Sequence, residues 1–419
     1  MSSNKKILYL RTDIYNKELI SGGSVSHTSG VINGFLKLDY DVFCASSLMV
    51  PIIKNLEIKK FVRLKNPSCL NFLRWKINCI FSNFFFTYLL LKKIKQWDFE
   101  FIYQRYSLLN FTGIILSKIK KKKIILEYNG SEYWVEKNWG GIKLKSLIFS
   151  FPSIVIEKIN IKYSDKIIVV SDVLKEELLK RGVTKERILV NPNGVNPIEY
   201  NPEKLEEHRF KIRKKLGLEN IFVFGFIGTF SYWHGINILE KLIPKVVKNN
   251  KKIKFLMIGD GPLLESLKES LEKYKSKIVF TGLTTHEEGK RYLSACDAFL
   301  CPTQQNSDGS AFFGSPTKLF EYMSLSRPVI SSGIEQLKEI ISPALMVRDL
   351  SAKTVVKNEV GILADWDNDE EFLRACMWVL FNKNILNRLG KNAREKILKY
   401  YTWQMHVKKI EEFVNNKIS

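Results

Sequence analysis

Short apolar runs of strand length alternate with longer amphipathic runs along most of this chain, an alternation that predicts βα units wound around parallel sheets. The clearest predicted strands are 6–10, 101–104, 123–127, 166–170, 222–227, 254–258, 278–281 and 298–301, and they fall into two sets. With 419 residues the chain exceeds one ordinary core, so two domains are expected. The break is expected at 191–202, where Asn-Pro-Asn-Gly-Val-Asn-Pro concentrates turn formers into a hinge. Behind Trp403, the segment 402–418 repeats apolar residues at helical spacing and reads as a helix that caps one of the domains.

Lys and Arg (66) outnumber Asp and Glu (43), giving a formal charge of +23. That excess reads either as a Lys-rich surface or as attraction to an anionic partner: an acidic phospholipid surface, a phosphorylated substrate or nucleic acid. No helix-turn-helix signature or aromatic RNA-binding motif is present, so nucleic acid is not expected. At 45% hydrophobic and 26% charged residues, neither a disordered tail nor a polytopic membrane protein fits. Cysteines 44, 69, 79, 296, 301 and 376 form no Cys-x-x-Cys pair, which argues against zinc or a disulfide framework. Residues 1–6 run into the first strand without a signal-peptide pattern, and the expected location is cytoplasmic.

The segment 72–91 is rich in Phe, Leu, Ile and Trp but interrupted by Arg74, Lys76, Asn78, Ser82 and Asn83, and it is followed by Lys92, Lys93 and Lys95. It is too interrupted to span a bilayer. It reads either as an amphipathic helix in the interface of an anionic membrane or as a buried helix closing over an apolar groove.

Four loops carry candidate chemistry. Gly22 and Gly23 stand between the first strand and the next helix, where glycine lets backbone approach a phosphate, and His27 follows as a polar group of the site or a structural histidine. The stretch Gly-Phe-Ile-Gly-Thr-Phe-Ser-Tyr-Trp-His-Gly at 225–235 opens the second set and places Gly228, Thr229 and His234 at a strand end suited to a nucleotide. It matches neither a dinucleotide fingerprint nor a Walker lysine pattern. Gly259-Asp-Gly-Pro262 is a further βα turn. Most informative is Gly314-Ser-Pro-Thr-Lys-Leu-Phe-Glu-Tyr-Met323: Ser315 is the expected N-cap, Pro316 the first helical residue, and the first-turn amides with Lys318 a diphosphate site. Glu321, one turn on, is placed to accept both hydroxyls of a ribose; the alternative is an i,i+3 surface pair with Lys318.

In this order the motifs resemble family 4 glycosyltransferases, retaining enzymes of GT-B fold, and within them the branch marked by SP-T-K-x-x-EYM. The likeness runs over nearly the whole chain and includes GGSVSH, LEYNGSE at 126–132, NPNGV, FIGTF with YWHG, GDGP, FTGL and the YTW tail. It implies an α/β chain of two Rossmann-like domains facing a central cleft: an acceptor-binding domain at 1–197, onto which 402–418 packs back, and a nucleotide-sugar-binding domain at 198–401. The implied donor set is Gly22, Gly23, Gly228, Thr229, Thr281, Gly282, Ser315, Thr317, Lys318, Leu319 and Glu321, with Thr281 and Gly282 near the base. Lys318, His234, His27 and Glu132 are the residues expected to serve catalysis. The implied reaction moves a sugar from a nucleotide diphosphate sugar to a glycan or lipid-linked acceptor, without metal or cofactor, in surface-polysaccharide assembly.

Three positions depart from the family pattern. Phe313 stands where the first of two glutamates is expected, His234-Gly235 where Lys-Gly is common, and Asn129-Gly130 where a His-Asp pair is often found. His234 is thus expected to stand in for a cation, and Glu132 or His27 to serve as polar partner of the acceptor. The competing expectations are a degenerate GT-B protein that binds without catalysis and a sugar-nucleotide epimerase.

Overall fold

The computed structural model describes residues 5–13, 22–48, 53, 56–65, 75–138, 147–250 and 252–415. Cys69, Arg74, the segment 14–21 and residues 416–418 lie outside them, as does the side chain of Lys76. The chain divides into two units, one of 1–20, 28–192 and 403–419, the other of 21–27 and 193–402.

The first unit holds β1 (Lys5–Arg11), β2 (Tyr40–Ser46), β3 (Lys60–Arg63), β4 (Phe101–Arg105), β5 (Lys123–Tyr128), β6 (Lys166–Val169) and β7 (Ile188–Val190). They form one parallel sheet in the order β3-β2-β1-β4-β5-β6-β7. Between them run α1 (Gly23–Leu36), α2 (Trp75–Lys93), α3 (Thr112–Lys120), α4 (Glu132–Asn138), α5 (Leu147–Tyr163) and α6 (Asp172–Lys180). Strands β2, β3 and β7 add to those legible in the sequence. Leu8, Leu10, Phe43 and Ile102 of the sheet pack in one core with Phe86 and Leu90 of α2.

The second unit repeats the plan with β8 (Phe222–Ile227), β9 (Ile253–Ile258), β10 (Ile278–Phe280), β11 (Ala298–Cys301), β12 (Val329–Ser332), β13 (Leu345–Met346) and β14 (Ile362–Ala364). Its parallel order is β10-β9-β8-β11-β12-β14-β13. Around it lie α7 (Glu206–Lys215), α8 (Ile236–Asn249), α9 (Leu264–Ser270), α10 (His286–Ser294), α11 (Thr317–Ser324), α12 (Glu335–Ile340), α13 (Asp369–Phe381) and α14 (Lys383–Tyr400). The apolar face of α8, Leu239, Leu242, Ile243 and Val246, is buried in one core with Phe224, Phe226 and Phe255; each such side chain contributes about 1.5–3 kcal/mol.

The last helix, α15 (Trp403–Asn415), belongs to the first unit. Glycines on α1 admit it: a Cβ on Gly30 would lie 2.1 Å from the Trp403 ring, and one on Gly34 2.6 Å from Trp403 O. The units change over at Pro192/Asn193 and Thr402/Trp403, against 197/198 and 401/402 in the sequence reading. Asn193 belongs with the second unit because its N–H donates to Ser315 Oγ (3.1 Å) and its Nδ2 to Ser315 O (2.5 Å).

In each sheet the chain starts centrally, winds to one edge and returns to the other side, so β1/β4 and β8/β11 are the points where strand order reverses. Ligands of open parallel sheets bind beyond the carboxyl ends of strands at such points.

Candidate functional site

At the carboxyl end of β8 the chain passes through Gly228. A Cβ there would lie 2.9 Å from Lys318 Nζ and 3.3 Å from His234 Cε1 and Nδ1, so the loop, the amine and the imidazole share one small space. Lys318 is 6% exposed, its Nζ has no hydrogen-bond acceptor among the described residues, and it lies 4.3 Å from the Phe226 ring centroid. Burial lowers its pKa to about 8. A buried ammonium facing a glycine loop without an acceptor is a prepared anion contact.

His234, expected to stand in for a cation, is an uncharged ring in this structure. Its Nδ1 is hydrogen-bonded to Thr229 O, and because a carbonyl only accepts, Nδ1 carries the proton. Burial, reinforced by the charge of Lys318, drives its pKa well below the usual value, so the ring is neutral and Nε2 is an acceptor. Gly235, at φ +72°, ends this turn against Pro302: a Cβ would fall 1.7 Å from Pro302 O.

The sequence placed the N-cap of α11 one residue early. Ser315 Oγ is occupied by the Asn193 N–H, Pro316 is the N-cap, and the first helical residue is Thr317. Leu319 N–H is spent on Pro316 O at 3.1 Å, and its side chain is in the core, so of the first-turn amides those of Thr317 and Lys318 are left for a ligand. Gly22 and Gly23 start α1 within the second unit, and a Cβ on Gly23 would lie 3.2 Å from Thr317 Oγ1. Two helix N-termini thus meet. His27, further along α1, is buried.

Glu321 is 7% exposed, and no ion pair joins it to Lys318 among the described residues, which rules out the surface-pair reading. Tyr200 hydrogen-bonds its carboxylate; burial raises its pKa, opposed by His286, that hydrogen bond and Lys318. A capping box at Thr285 and Glu288 fixes the start of α10, and so the position of His286. His286 Nε2 lies 3.8 Å from Glu199, and Nδ1 3.4 Å from Ser26 Oγ. Burial opposes its protonation, but Glu199 and Glu321 outweigh it and raise its pKa. Sequence reading missed Glu199, Tyr200 and His286, which are spread over two further loops and carry no motif.

Gly259 bridges to Gly282, its N–H donating to Gly282 O (3.2 Å) and approaching Thr281 Oγ1 (3.3 Å). A Cβ on Gly259 would lie 2.2 Å from Gly228 O, so the loops after β8, β9 and β10 adjoin. Phe313, in place of the expected glutamate, is buried. An Asp-x-Asp pair, Asp365 and Asp367, follows β14 at exposed positions, and among the described residues no three His, Cys, Asp or Glu side chains converge as a metal-ligand set.

A second cluster lies at the strand ends of the first unit. Register places Arg11 beside Arg105 and Arg105 beside Glu127. Arg105 pairs with Glu127 at 2.5 Å, Asn129 Nδ2 donates to the same oxygen at 2.5 Å, and Arg11 pairs with Asp13 at 2.6 Å. Glu132, at the start of α4, has its pKa raised to about 7 by burial and by Asp13, against the pull of Arg105 and Arg11. A carboxyl poised near neutrality at a strand-order reversal is a candidate acid or base. Of this cluster the sequence reading named Glu132 and Asn129 but not Arg11, Asp13, Arg105 or Glu127.

Of the segment 72–91 the structure describes α2, which has one buried and one exposed face. One face of α2 is buried, and Asn83, taken as an interruption, accepts from Phe111 N–H (2.8 Å) and Thr112 Oγ1 (2.9 Å) and so ties α2 to the start of α3. The other face exposes Ile77, Phe81, Phe84 and Tyr88 in one stripe, with Lys92 Nζ 4.3 Å from the Tyr88 ring centroid. No described helix is long and apolar enough to cross a membrane.

Two family models match the chain: glycosyltransferase family 4 over residues 21–199 and glycosyl transferases group 1 over 221–382. An uncharacterised glycosyltransferase of Methanocaldococcus jannaschii is 24% identical over 77% of this chain and 76% of its own length. The Escherichia coli UDP-Gal:alpha-D-GlcNAc-diphosphoundecaprenol alpha-1,3-galactosyltransferase is 28% identical over 54% of this chain and 53% of its own, about half of each. Among solved structures, Anabaena HepE in complex with UDP-glucose matches with TM-score 0.68 at 14% identity, covering 98% of this chain and 100% of that one. The fold is GT-B.

Proposed function

This chain belongs to glycosyltransferase family 4, and from that premise we propose that it is a retaining, metal-independent enzyme moving a sugar from a nucleotide diphosphate sugar to a glycan or lipid-linked acceptor. In this reading the second unit, 193–402 with Gly22 and Gly23, holds the donor. Lys318 and the Thr317 and Lys318 amides take the diphosphate, Glu321 the ribose, and the loop of Thr281 and Gly282 borders the base. The first unit, α15 included, takes the acceptor beside Glu132 and Arg105.

The observation that carries the reading is Lys318: buried, without an acceptor, and adjoining the Gly228 loop at the start of α11. In the reaction the acceptor hydroxyl attacks from the face the diphosphate leaves, the diphosphate oxygen takes its proton, and no protein nucleophile is required. Lys318 and the amides stabilise the charge that grows on the diphosphate, and they are oriented before the reaction begins. The neutral His234 lines the same space. UDP is the nucleotide to test first, because the E. coli relative's name and the HepE complex both contain it.

The exposed aromatic stripe of α2, with Lys92, Lys93 and Lys95 at its end, supports a peripheral place on an anionic cytoplasmic membrane face and a role in surface-polysaccharide assembly. The deciding experiment titrates UDP, GDP, ADP and their sugar conjugates into the chelator-treated protein, comparing wild type with Lys318→Ala and Glu321→Ala. Saturable binding weakened by both substitutions is expected, followed by a product whose anomeric configuration matches the donor. Absence of binding to every nucleotide overturns the reading.

A further inference from the structure

The second sheet has a cavity at the end opposite the donor loops. Its volume is about 390 Å³, and Arg213, Asp297, Ser326, Arg327, Lys383 and Asn387 supply its polar lining. Phe222 begins β8, Asp297 precedes β11, and Pro328 precedes β12, so the cavity opens where the strands start. Gly228 follows the other end of β8, and a six-residue strand spans about 20 Å.

The charges of this cavity do not cancel. Asp297 is saturated: Oδ1 accepts from Arg209 at 2.5 Å, and Oδ2 from Arg213 at 3.1 Å and Val223 N–H at 2.8 Å. Arg213 is further held by Ala295 O (2.8 Å) and Ile221 O (2.5 Å). Arg327, by contrast, makes no hydrogen bond or ion pair with a described residue; burial and the nearby Arg209 disfavour its charge, against a weaker pull from Asp297 and Glu206. Lys383 opens the 18-residue helix α14, whose first turn carries no acidic residue and whose N-cap residue, Asn382, makes no side-chain capping bond. In the lining three cations face one carboxylate, with Arg209 and Glu206 just beyond it, so positive charge is in excess beside the start of α14. Internal packing needs none of this: an Arg without a partner costs stability unless something arrives to pair with it.

We propose that this cavity is a second anion site, separate from the donor site, for a small phosphate-bearing molecule. Arg327 offers its guanidinium fork to phosphate oxygens, Lys383 a point charge, and the Lys383 and Asn384 amides of α14 the remaining donors, since Ile385 N–H is spent on Asn382 O. The volume suits a diphosphate or a sugar phosphate and excludes a macromolecule from the interior. This inference does not depend on the donor reading.

The exposed Lys383 amine gives a local readout. Acylation of the full-length protein is followed by peptide mass spectrometry with increasing pyrophosphate, with Lys273, exposed and unpaired, as reference. Pyrophosphate is expected to slow modification of Lys383 several-fold, equally in wild type and in Lys318→Ala, whose donor site is impaired. In Arg327→Gln protection should need about tenfold more pyrophosphate, the loss of one charge-assisted contact. Asn387→Asp, an exposed change that adds a carboxylate to the cavity, should abolish protection while leaving the thermal melt in place. Repeating the series with glucose 1-phosphate identifies the occupant: stronger protection than pyrophosphate assigns an organic phosphate, weaker protection a free anion. No protection, protection shared equally by Lys273, or protection unchanged in both cavity variants overturns the proposal.

Discussion

The Lys318 ammonium lies 4.3 Å from the centroid of the Phe226 ring and has no hydrogen-bond acceptor, so a charge is buried on the face of an aromatic ring until a ligand pairs with it. The folded pKa of about 8 lies below the unfolded value of 10.5, so the folded state binds fewer protons between them and stability rises with pH across that window. Well below pH 8 the full cost, about 3 kcal/mol, is present. Lys318→Met should therefore raise stability at pH 7 by about 1–3 kcal/mol and flatten the rise above pH 8, as read by denaturant titration, while donor affinity falls ten- to a hundredfold. In wild type, donor binding near pH 8.5 should take up a proton, measurable by calorimetry in buffers of different ionisation enthalpy; proton release would contradict the pairing.

Two glycines of the same turn separate function from folding. Gly235 has φ +72° and its Cβ position is occupied by Pro302 O, so Gly235→Ala should cost about 2–4 kcal/mol and lower the melting temperature sharply. Gly228, at φ +157°, faces the flexible end of Lys318 and the His234 ring rather than backbone. Gly228→Ala should therefore cost backbone strain of about 1 kcal/mol, less than Gly235→Ala, yet weaken donor binding about tenfold, because the methyl group enters the anion space. Equal thermal losses in both variants would show that the Gly228 loop is a structural element only.

Much of this site was legible because parallel βα units put phosphate chemistry at strand ends, and short-range signals mark those ends. Gly228 and Gly259 directly follow apolar runs, and the Lys318-to-Glu321 turn carries its own Ser-Pro helix-start signal. The partners of Glu321 were not legible: Tyr200 and His286 come from separate loops and meet it through sheet topology alone. The Arg11, Arg105 and Glu127 row arises from strand register, which single strands do not encode. β13 and β7, two and three residues long, are too short for periodicity to reveal. At α11 the cap shifted because Asn193, 122 residues away, competes for the Ser315 hydroxyl.

Glu132 should report on the first unit alone. Its folded pKa of about 7 lies above the ordinary value of 4.5, so the folded state holds the extra proton between these values and stability falls as pH rises through that window. Glu132→Gln should stabilise the protein at pH 8 by about 1–2 kcal/mol, half-burial reducing the full effect, and should do nothing at pH 4. If Glu132 orients the acceptor, the same variant should lower kcat at least tenfold while nucleotide affinity stays within twofold. A kcat unchanged between pH 6 and 8 in wild type would remove Glu132 from the reaction.

The stripe on α2 sets a largely aromatic face toward water, with Phe84 also packed edge-on against Phe111. Phe81, Phe84 and Tyr88 are each more than half exposed, while Phe86 and Leu90 on the opposite face are in the core. Replacing the three exposed aromatics with serine should lower the melt by no more than the loss of the Phe84–Phe111 contact, about 1 kcal/mol. Partition onto phosphatidylglycerol vesicles should fall at least tenfold, as each ring forfeits part of the roughly 1.5–3 kcal/mol available for burial. Exchanging Lys92 and Lys93 for glutamate removes the attraction of the headgroups, worth about 1 kcal/mol per lysine, and its effect should shrink in high salt where that of the aromatic change does not. Wild-type protein that ignores such vesicles at physiological salt would leave the face for another partner. Binding that survives the aromatic changes but not the lysine changes would mean contact through charge alone, without insertion.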